Sequence, residues 1–159
     1  MNNQSLLHKT LQCASHSNAI AIHLARDLIA ARADVNLRDN PRRTPLHYCN
    51  DREAARMMLE LGANVDAVDH RGYTPLHRCT DVDTVRVLLE FRANPSAVSR
   101  RGNHSPLYCA CLDGRAEVAR VLIDANADLH VCSSDEASPL HVAAINGHVE
   151  VVRPLSQCS

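Results

Sequence analysis

The chain has 159 residues, enough for one domain with a sizeable core, and 45% of them are hydrophobic. It holds no Trp and a single Phe, so that core must be aliphatic; 17 basic against 18 acidic residues give a net charge of −1, which weighs against generic attraction to nucleic acid or membranes. The opening Met1-Asn2-Asn3-Gln4-Ser5 lacks a basic flank followed by an apolar run, so no secretory signal is expected, and no stretch approaches the roughly 18 apolar residues of a membrane span.

Two phrases recur along the chain in a constant order. The first reads Thr44-Pro45-Leu46-His47, Thr74-Pro75-Leu76-His77, Ser105-Pro106-Leu107-Tyr108 and Ser138-Pro139-Leu140-His141, with starts 30, 31 and 33 residues apart. The second reads Arg32-Ala33-Asp34-Val35-Asn36, Gly62-Ala63-Asn64-Val65-Asp66, Arg92-Ala93-Asn94-Pro95-Ser96 and Asn126-Ala127-Asp128-Leu129-His130. A period in this range marks a solenoid of stacked units. In chain order the units are a divergent first (about 5–36), three central ones (37–66, 67–97, 98–131) and an incomplete fifth (132–159). The fourth unit displays the local logic best. Ser105 suits a helix N-cap and Pro106 the first turn, giving a short inner helix to about Leu112 that Asp113-Gly114 ends. Glu117 to Ile123 then repeats apolar residues at three- and four-residue spacing, an outer helix that Asn126 closes in a left-handed conformation.

At these residues the chain resembles the ankyrin repeat family, whose units carry Thr-Pro-Leu-His near the start and Gly-Ala-Asp later. The resemblance spans about Ser5 to the C-terminus. It implies an all-α solenoid of about five helix-turn-helix units joined by finger loops, short and hairpin-like, in which each repeat leans on its neighbours. It implies protein binding without naming the partner, because a fold hosts functions and does not specify one.

Three departures from the family pattern carry expectations. Thr44 to Ala63 and Thr74 to Ala93 span 19 residues where Ser105 to Ala127 spans 22, so the loops between inner and outer helices of the second and third units are expected to be tighter. Arg32 and Arg92 replace a helix-ending Gly; a left-handed conformation there costs on the order of 1 kcal/mol. Pro154 falls within the last outer helix and is expected to disrupt it, leaving a frayed end and a chain read as a fragment or truncated product.

In ankyrin arrays a partner lies against the finger tips and the exposed inner-helix residues. Carried over by position, the fingers offer Asn40, Arg42 and Arg43; His70, Arg71 and Tyr73; Arg100, Arg101, Asn103 and His104; and Asp135 and Glu136. The inner helices offer Tyr48, Asn50, Arg78, Thr80, Asp81, Leu112, Ile145 and Asn146. Five arginines stand on the central fingers, and guanidinium pairs bidentately with carboxylates, so one reading is a groove for an acidic or phosphorylated segment. The other is a solvated basic ridge with no single partner. Tyr48 and Tyr73 are either binding hot spots or packing for the adjacent finger.

Other chemistry finds little footing. The seven cysteines are odd in number, and Cys49 and Cys79 fall where Ala110 and Ala143 stand in later units, which suits reduced thiols packed as small hydrophobes in the cytoplasm or nucleus. Cys109-Ala110-Cys111 lacks zinc-knuckle spacing, so no metal is expected. His47, His77 and His141 recur at the repeat period, and the resemblance implies hydrogen bonds between neighbouring units rather than catalysis. No Gly-rich phosphate loop or nucleophile elbow occurs, and neither enzyme activity nor a cofactor is expected. Leu28 with Asp34-Val35-Asn36, and Leu122 with Asp128-Leu129-His130, resemble the sites at which ankyrin domains are hydroxylated, making Asn36 and His130 candidate acceptors.

The expected function is a non-enzymatic protein-interaction module: scaffold, adaptor or inhibitor. An alternative is the substrate-recognition part of a ubiquitin-ligase adaptor, which needs an appended recruitment box that the residues after Val152 do not supply. Nucleic-acid binding through the arginine fingers is a weaker rival, since stacking aromatics are scarce.

Overall fold

The computed structural model describes residues 5–14 and 19–157, with side chains for 5–13 and 19–153. Residues 1–4, where the absence of a secretory signal was read, lie outside it. Among the described residues the chain forms helix pairs and no strand: α1 (Leu6–Ala14) with α2 (Ala19–Ala30), a 3-10 turn (Pro45–Tyr48) with α3 (Arg52–Glu60), α4 (Pro75–Arg78) with α5 (Val82–Glu90), α6 (Pro106–Leu112) with α7 (Ala116–Asp124), and α8 (Pro139–Ile145) with α9 (Val149–Gln157). Inner elements pack in the order α1, 3-10 turn, α4, α6, α8, and outer helices in the order α2, α3, α5, α7, α9. The result is a two-layer solenoid, as the spacing of the phrases implies.

Each phrase has a physical role. Its leucine (Leu46, Leu76, Leu107) is buried, with Leu7 at the matching place in the first pair. Burying such a side chain contributes roughly 1.5–3 kcal/mol. Its Ser caps the inner helix directly: Ser105 Oγ accepts from the Tyr108 amide at 3.1 Å. In the second phrase the Asx side chain accepts from the amide two residues on, Asp34 from Asn36 at 2.9 Å and Asn64 from Asp66 at 3.0 Å. The residue after that turn staples the next unit: Asn36 Oδ1 accepts from Asn64 N at 2.9 Å, and Ser96 Oγ from Asp128 N at 2.9 Å. The phrase also ends the outer helix. Ala33, Ala63, Ala93 and Ala127 amides reach back to the carbonyls of Leu28, Met58, Leu88 and Leu122 at 2.9–3.0 Å, the closure that needs a left-handed residue just before. Gly62 meets that need at φ 84°, and Asn126 adopts it at φ 57° as expected. Arg32 and Arg92 adopt it too, both at φ 63°.

His47 and His77 join neighbouring units, whereas His141, expected to do the same, bonds Ser138 of its own unit. His47 Nδ1 accepts from the Thr44 amide at 3.1 Å, so the proton sits on Nε2, which donates to the Tyr73 carbonyl of the next finger at 3.0 Å. His77 repeats this with the Thr74 amide and the His104 carbonyl, again at 3.1 and 3.0 Å. Burial pushes both imidazoles down to about 4. The first unit holds an unannounced copy: His8 Nδ1 pairs with Ser5 Oγ at 2.7 Å and Nε2 with the Arg43 carbonyl at 3.0 Å. Ser5-Leu6-Leu7-His8 carries the same Ser–Leu–His spacing, a signal the divergent first unit hid. In the fourth unit Tyr108 replaces the histidine and stacks on His104, with centroids 4.5 Å apart.

Three expectations change. The loops of the second and third units are not where the missing residues come from; the inner helix itself is cut to four residues, Pro45–Tyr48 and Pro75–Arg78, against seven in Pro106–Leu112. Cys49 and Cys79 therefore sit at C-caps in extended conformation, and Asp51 and Asp81 cap the outer helices by accepting from Ala54 and Thr84 amides at 2.8 and 2.7 Å. The fingers carry no strand, although each is closed by a backbone hydrogen bond such as Asp69 N to Tyr73 O at 2.9 Å. Finally, helical backbone continues through Pro154 to Gln157, where the proline was expected to disrupt it.

Two outcomes are expected. Arg92→Gly relieves the left-handed arginine and raises unfolding free energy by up to about 1 kcal/mol in urea titration. Acid destabilises the fold above the carboxylate range: His47 and His77 stay neutral in the native state, while the unfolded chain protonates them near pH 6.5. Stability is therefore full above pH 6.5 and falls as pH drops toward 4, by about 2 kcal/mol per histidine between pH 7 and 5. Urea midpoints across that range check it, and His77→Gln is expected to flatten the slope.

Candidate functional site

The fingers and inner elements line one face of the stack. Adjacent fingers are tied by single backbone hydrogen bonds: His70 N to Pro41 O, Arg100 N to Arg71 O and Ser134 N to Gly102 O, at 2.9, 2.9 and 2.8 Å. The approach is close. A Cβ on Gly72, whose φ is 86°, would fall 2.5 Å from Arg100 N, so only glycine fits there. The matching turn positions Arg42 and Glu136 are left-handed at φ 64° and 61°, while the third finger, one residue longer, uses Gly102 and Asn103. Asn103 Nδ2 then donates to the Cys132 carbonyl at 2.9 Å.

The basic ridge divides into two kinds of arginine. Arg42, Arg71, Arg100 and Arg101 are exposed. Arg43 is half-buried and committed: its Nε faces Asp69 Oδ2 at 3.4 Å, its Nη1 donates to Tyr48 Oη at 3.3 Å, and the guanidinium lies 5.6 Å from the Tyr48 ring centroid. The acids beneath the fingers are buried and occupied. Asp39 accepts from Tyr48 Oη and the Arg43 amide, both at 2.7 Å. Asp69 accepts from the Arg71 and Tyr73 amides at 2.8 and 3.0 Å. Burial alone would raise the Asp69 pKa, but those amides and Arg43 outweigh it and hold the carboxyl below its usual range.

Both tyrosines turn out to be partly structural. Tyr48 braces the first two units, and burial with its bond to Asp39 raises its pKa. Tyr73 Oη pairs with His104 Nδ1 at 2.9 Å, and its ring meets His77 edge-on at 5.2 Å. His70 Nδ1 faces the Pro41 carbonyl at 3.1 Å, on the exposed side of the finger. Asp135 and Glu136 are exposed on the last finger and keep it acidic. Leu112 and Ile145, at matching places on α6 and α8, are exposed by 42% and 80%.

The short inner helices leave a step in this face, and polar side chains mend it. Asn50 Oδ1 accepts from Thr80 N at 2.8 Å and Thr80 Oγ1 at 3.2 Å, bridging the second and third units. Arg115 reaches back from the fourth unit to the end of α4, donating to the Cys79 carbonyl at 2.5 Å and the His77 carbonyl at 3.3 Å. It thus satisfies carbonyls that a longer helix would have bonded internally. Asn50 and Asp81, read as contact candidates, make bonds that serve the fold, and Arg115 was missed because its partners lie 36 and 38 residues away. Where α4 stops and α6 continues, a cleft of about 250 Å³ opens between Tyr73, His77, Arg78, Cys109, Leu112 and Asp113.

The comparison with family models decides the relationship. The model described as ankyrin repeats (3 copies) matches residues 10–99 and 81–159. The chain belongs to the ankyrin repeat family. Ankyrin repeats are generally protein-protein interaction modules and typically non-enzymatic. No curated protein matches the chain.

The remaining candidates of this ankyrin array are placed as follows. Asn36 is exposed, but its Nδ2 donates to the Gly62 carbonyl at 2.9 Å while Oδ1 holds the Asn64 amide. His130 is exposed, its amide held by Asp128 at 2.8 Å. Cys111 is buried and Cys109 half-buried. Burial pushes the Cys109, Cys111 and Cys79 thiols up to about 11, 12 and 12, and Cys49 further, so these sulfurs stay protonated and unreactive. Among the described residues no group of His, Cys, Asp or Glu is arranged to hold a metal ion, and no helix is long and apolar enough to cross a membrane.

Removing either mend should cost stability without touching a fingertip. Arg115→Met, which strips the α4 carbonyls, is expected to lower unfolding free energy by about 2 kcal/mol, and Asn50→Ala by about 1 kcal/mol because Thr80 is exposed. Urea denaturation measures both.

Proposed function

We propose that this ankyrin array is a non-enzymatic binding module that holds an acidic or phosphorylated segment of a partner protein along the face formed by fingers and inner elements. It would act as scaffold, adaptor or competitive inhibitor in the cytoplasm or nucleus, where its unpaired thiols are at home. The observation that carries this reading is an asymmetry of charge. Arg42, Arg71, Arg100 and Arg101 stand exposed, while Asp39 and Asp69, the acids of the first two fingers, are buried and spent on amides and tyrosine; exposed acids, Asp135 and Glu136, stand on the last finger. The acids within the first two fingers therefore leave the exposed guanidinia of Arg42 and Arg71 uncompensated at the tips, and charge-assisted bonds to carboxylate or phosphate are the strong ones. A ligase adaptor would present the same face to its substrate.

The test compares wild type with Arg71→Glu, Arg100→Glu and Arg101→Glu combined. Arg43 is left intact because its ion pair with Asp69 belongs to the fold. With circular dichroism unchanged, capture of lysate proteins by wild type is expected to be salt-sensitive, and the triple variant to lose at least about tenfold in affinity for them. Identical captured sets would place binding elsewhere. Capture of generic duplex DNA, with its steep salt dependence, would favour the nucleic-acid reading.

A further inference from the structure

Arg78 differs from every other arginine on this face. It is the last residue of α4, it is half-buried, and it lines the cleft at the step between the short and long inner helices. Its guanidinium makes no hydrogen bond or ion pair with any described residue, whereas Arg43 has Asp69 and Arg115 has Asp113. Burial, with Arg43 nearby and Asp69 only partly offsetting it, lowers its pKa, as expected of a half-buried cation without a direct partner. A half-buried cation of this kind rewards an incoming anion, because part of its desolvation has already been met. Beside it the cleft wall changes character: Tyr73 on one side, and on the other Leu112, which projects from the longer α6 with Ile145 next along.

Building on the groove reading above, we propose that this cleft takes one acidic side chain of an extended partner segment, its carboxylate on Arg78 and the adjoining apolar residue on Leu112. The size fits: about 250 Å³ is below the usual range for small-ligand pockets and suits a side chain or two. The charge fits as well. Asp113 on the rim is paired with Arg115 at 3.2 Å, so among the lining residues Arg78 is the charge without a direct partner. A single carboxylate balances it, while a phosphate of about −1.5 to −2 leaves an excess beside Asp113. The exposed arginines of the fingers would orient the segment, and Arg78 would fix its register.

The probe is a random-peptide phage library panned on the full chain, with the leading peptide resynthesised and measured by fluorescence anisotropy. Enriched peptides are expected to carry Asp or Glu beside an apolar residue, and Arg78→Met to weaken binding by at least about tenfold. Arg78→Met should leave the melting temperature unchanged or raise it, because methionine keeps the stem and removes the unpaired charge; an Arg with a purely structural role would lower it. Arg120→Met on the exposed face of α7 should change nothing. In the peptide, Glu→Gln should lose about as much as Arg78→Met, and a phosphoserine in its place should bind no tighter. If Arg78→Met does not fold, the Glu→Gln comparison on wild type decides the question. A consensus without an acidic residue, tighter phosphoserine binding, or indifference to Arg78→Met overturns the assignment. Should the triple finger variant lose the peptide while Arg78→Met retains it, the groove reading stands and the cleft assignment falls. Enrichment of nothing, or binding indifferent to both, overturns the two together.

Discussion

A repeat of this kind has a polar edge that it cannot satisfy from its own residues, and the neutral histidine is what hands that edge to the next repeat. His47 takes a hydrogen from the amide that opens its own inner helix and gives one to a carbonyl in the following finger. Both bonds require the same tautomer, and protonation would destroy the first. Burial keeps the ring neutral, and the ring keeps the finger at a fixed height above the helix. The buried aliphatic side chains supply driving force, but they do not set register, since an apolar layer slides more readily than a directed pair of hydrogen bonds. Where Tyr108 stands in for histidine, ring stacking on His104 takes over the positioning.

Shortening the inner helix by three residues in two successive units puts a second demand on the stack. A one-turn helix leaves most of its carbonyls without internal partners. Arg115 answers by donating to such carbonyls and Asn50 by accepting from the Thr80 amide beyond the helix end, each from a neighbouring unit, and neither could act without the stack. The same shortening produces the cleft, because α6 extends past the point where α4 ends. The cleft and the structural repair therefore have one origin. Arg115, drawn into the gap, also neutralises Asp113 and leaves Arg78 as the charge without a partner.

Much of this fold was legible because repetition converts one observation into several. The caps, the buried leucines and the left-handed helix ends all follow from residue type at a fixed place in the period, and Arg32 and Arg92 adopt that conformation despite the strain because the closing bond from Ala33 or Ala93 demands it. What the sequence could not reveal is where a deletion is absorbed. A count of residues between Thr44 and Ala63 is the same whether loop or helix loses them, and only competition for backbone hydrogen bonds decides. The candidate face was read in part. Arg42, Arg71, Arg100 and Arg101 are as exposed as their finger positions imply, but Arg43 and Asn50 were drawn into contacts with residues 26 and 30 positions away, which spacing within one repeat does not encode. His8 escaped notice for the opposite reason: its motif was complete, but its unit was too divergent to announce the register.

The near-zero net charge of the chain is compatible with a strongly sided face. Folding does not change the number of charges, only which of them reach solvent. Asp39 and Asp69 point inward because finger turns need acceptors for their own amides, and a carboxylate accepts two such bonds better than any neutral group. Their arginine neighbours project outward because the turn that buries the acid leaves the next residues at its tip. Acid below and cation above thus operates at the first two fingers, the third keeps its cations Arg100 and Arg101 over Ser99, and the three sum to a basic edge, whereas the last finger has Ser133 beneath and Asp135 and Glu136 above. The field along the face then has a direction, positive over the second to fourth units and negative at the fifth, so an acidic segment would be drawn to one end and repelled from the other. Sidedness of this kind would orient an acidic partner before any close contact forms.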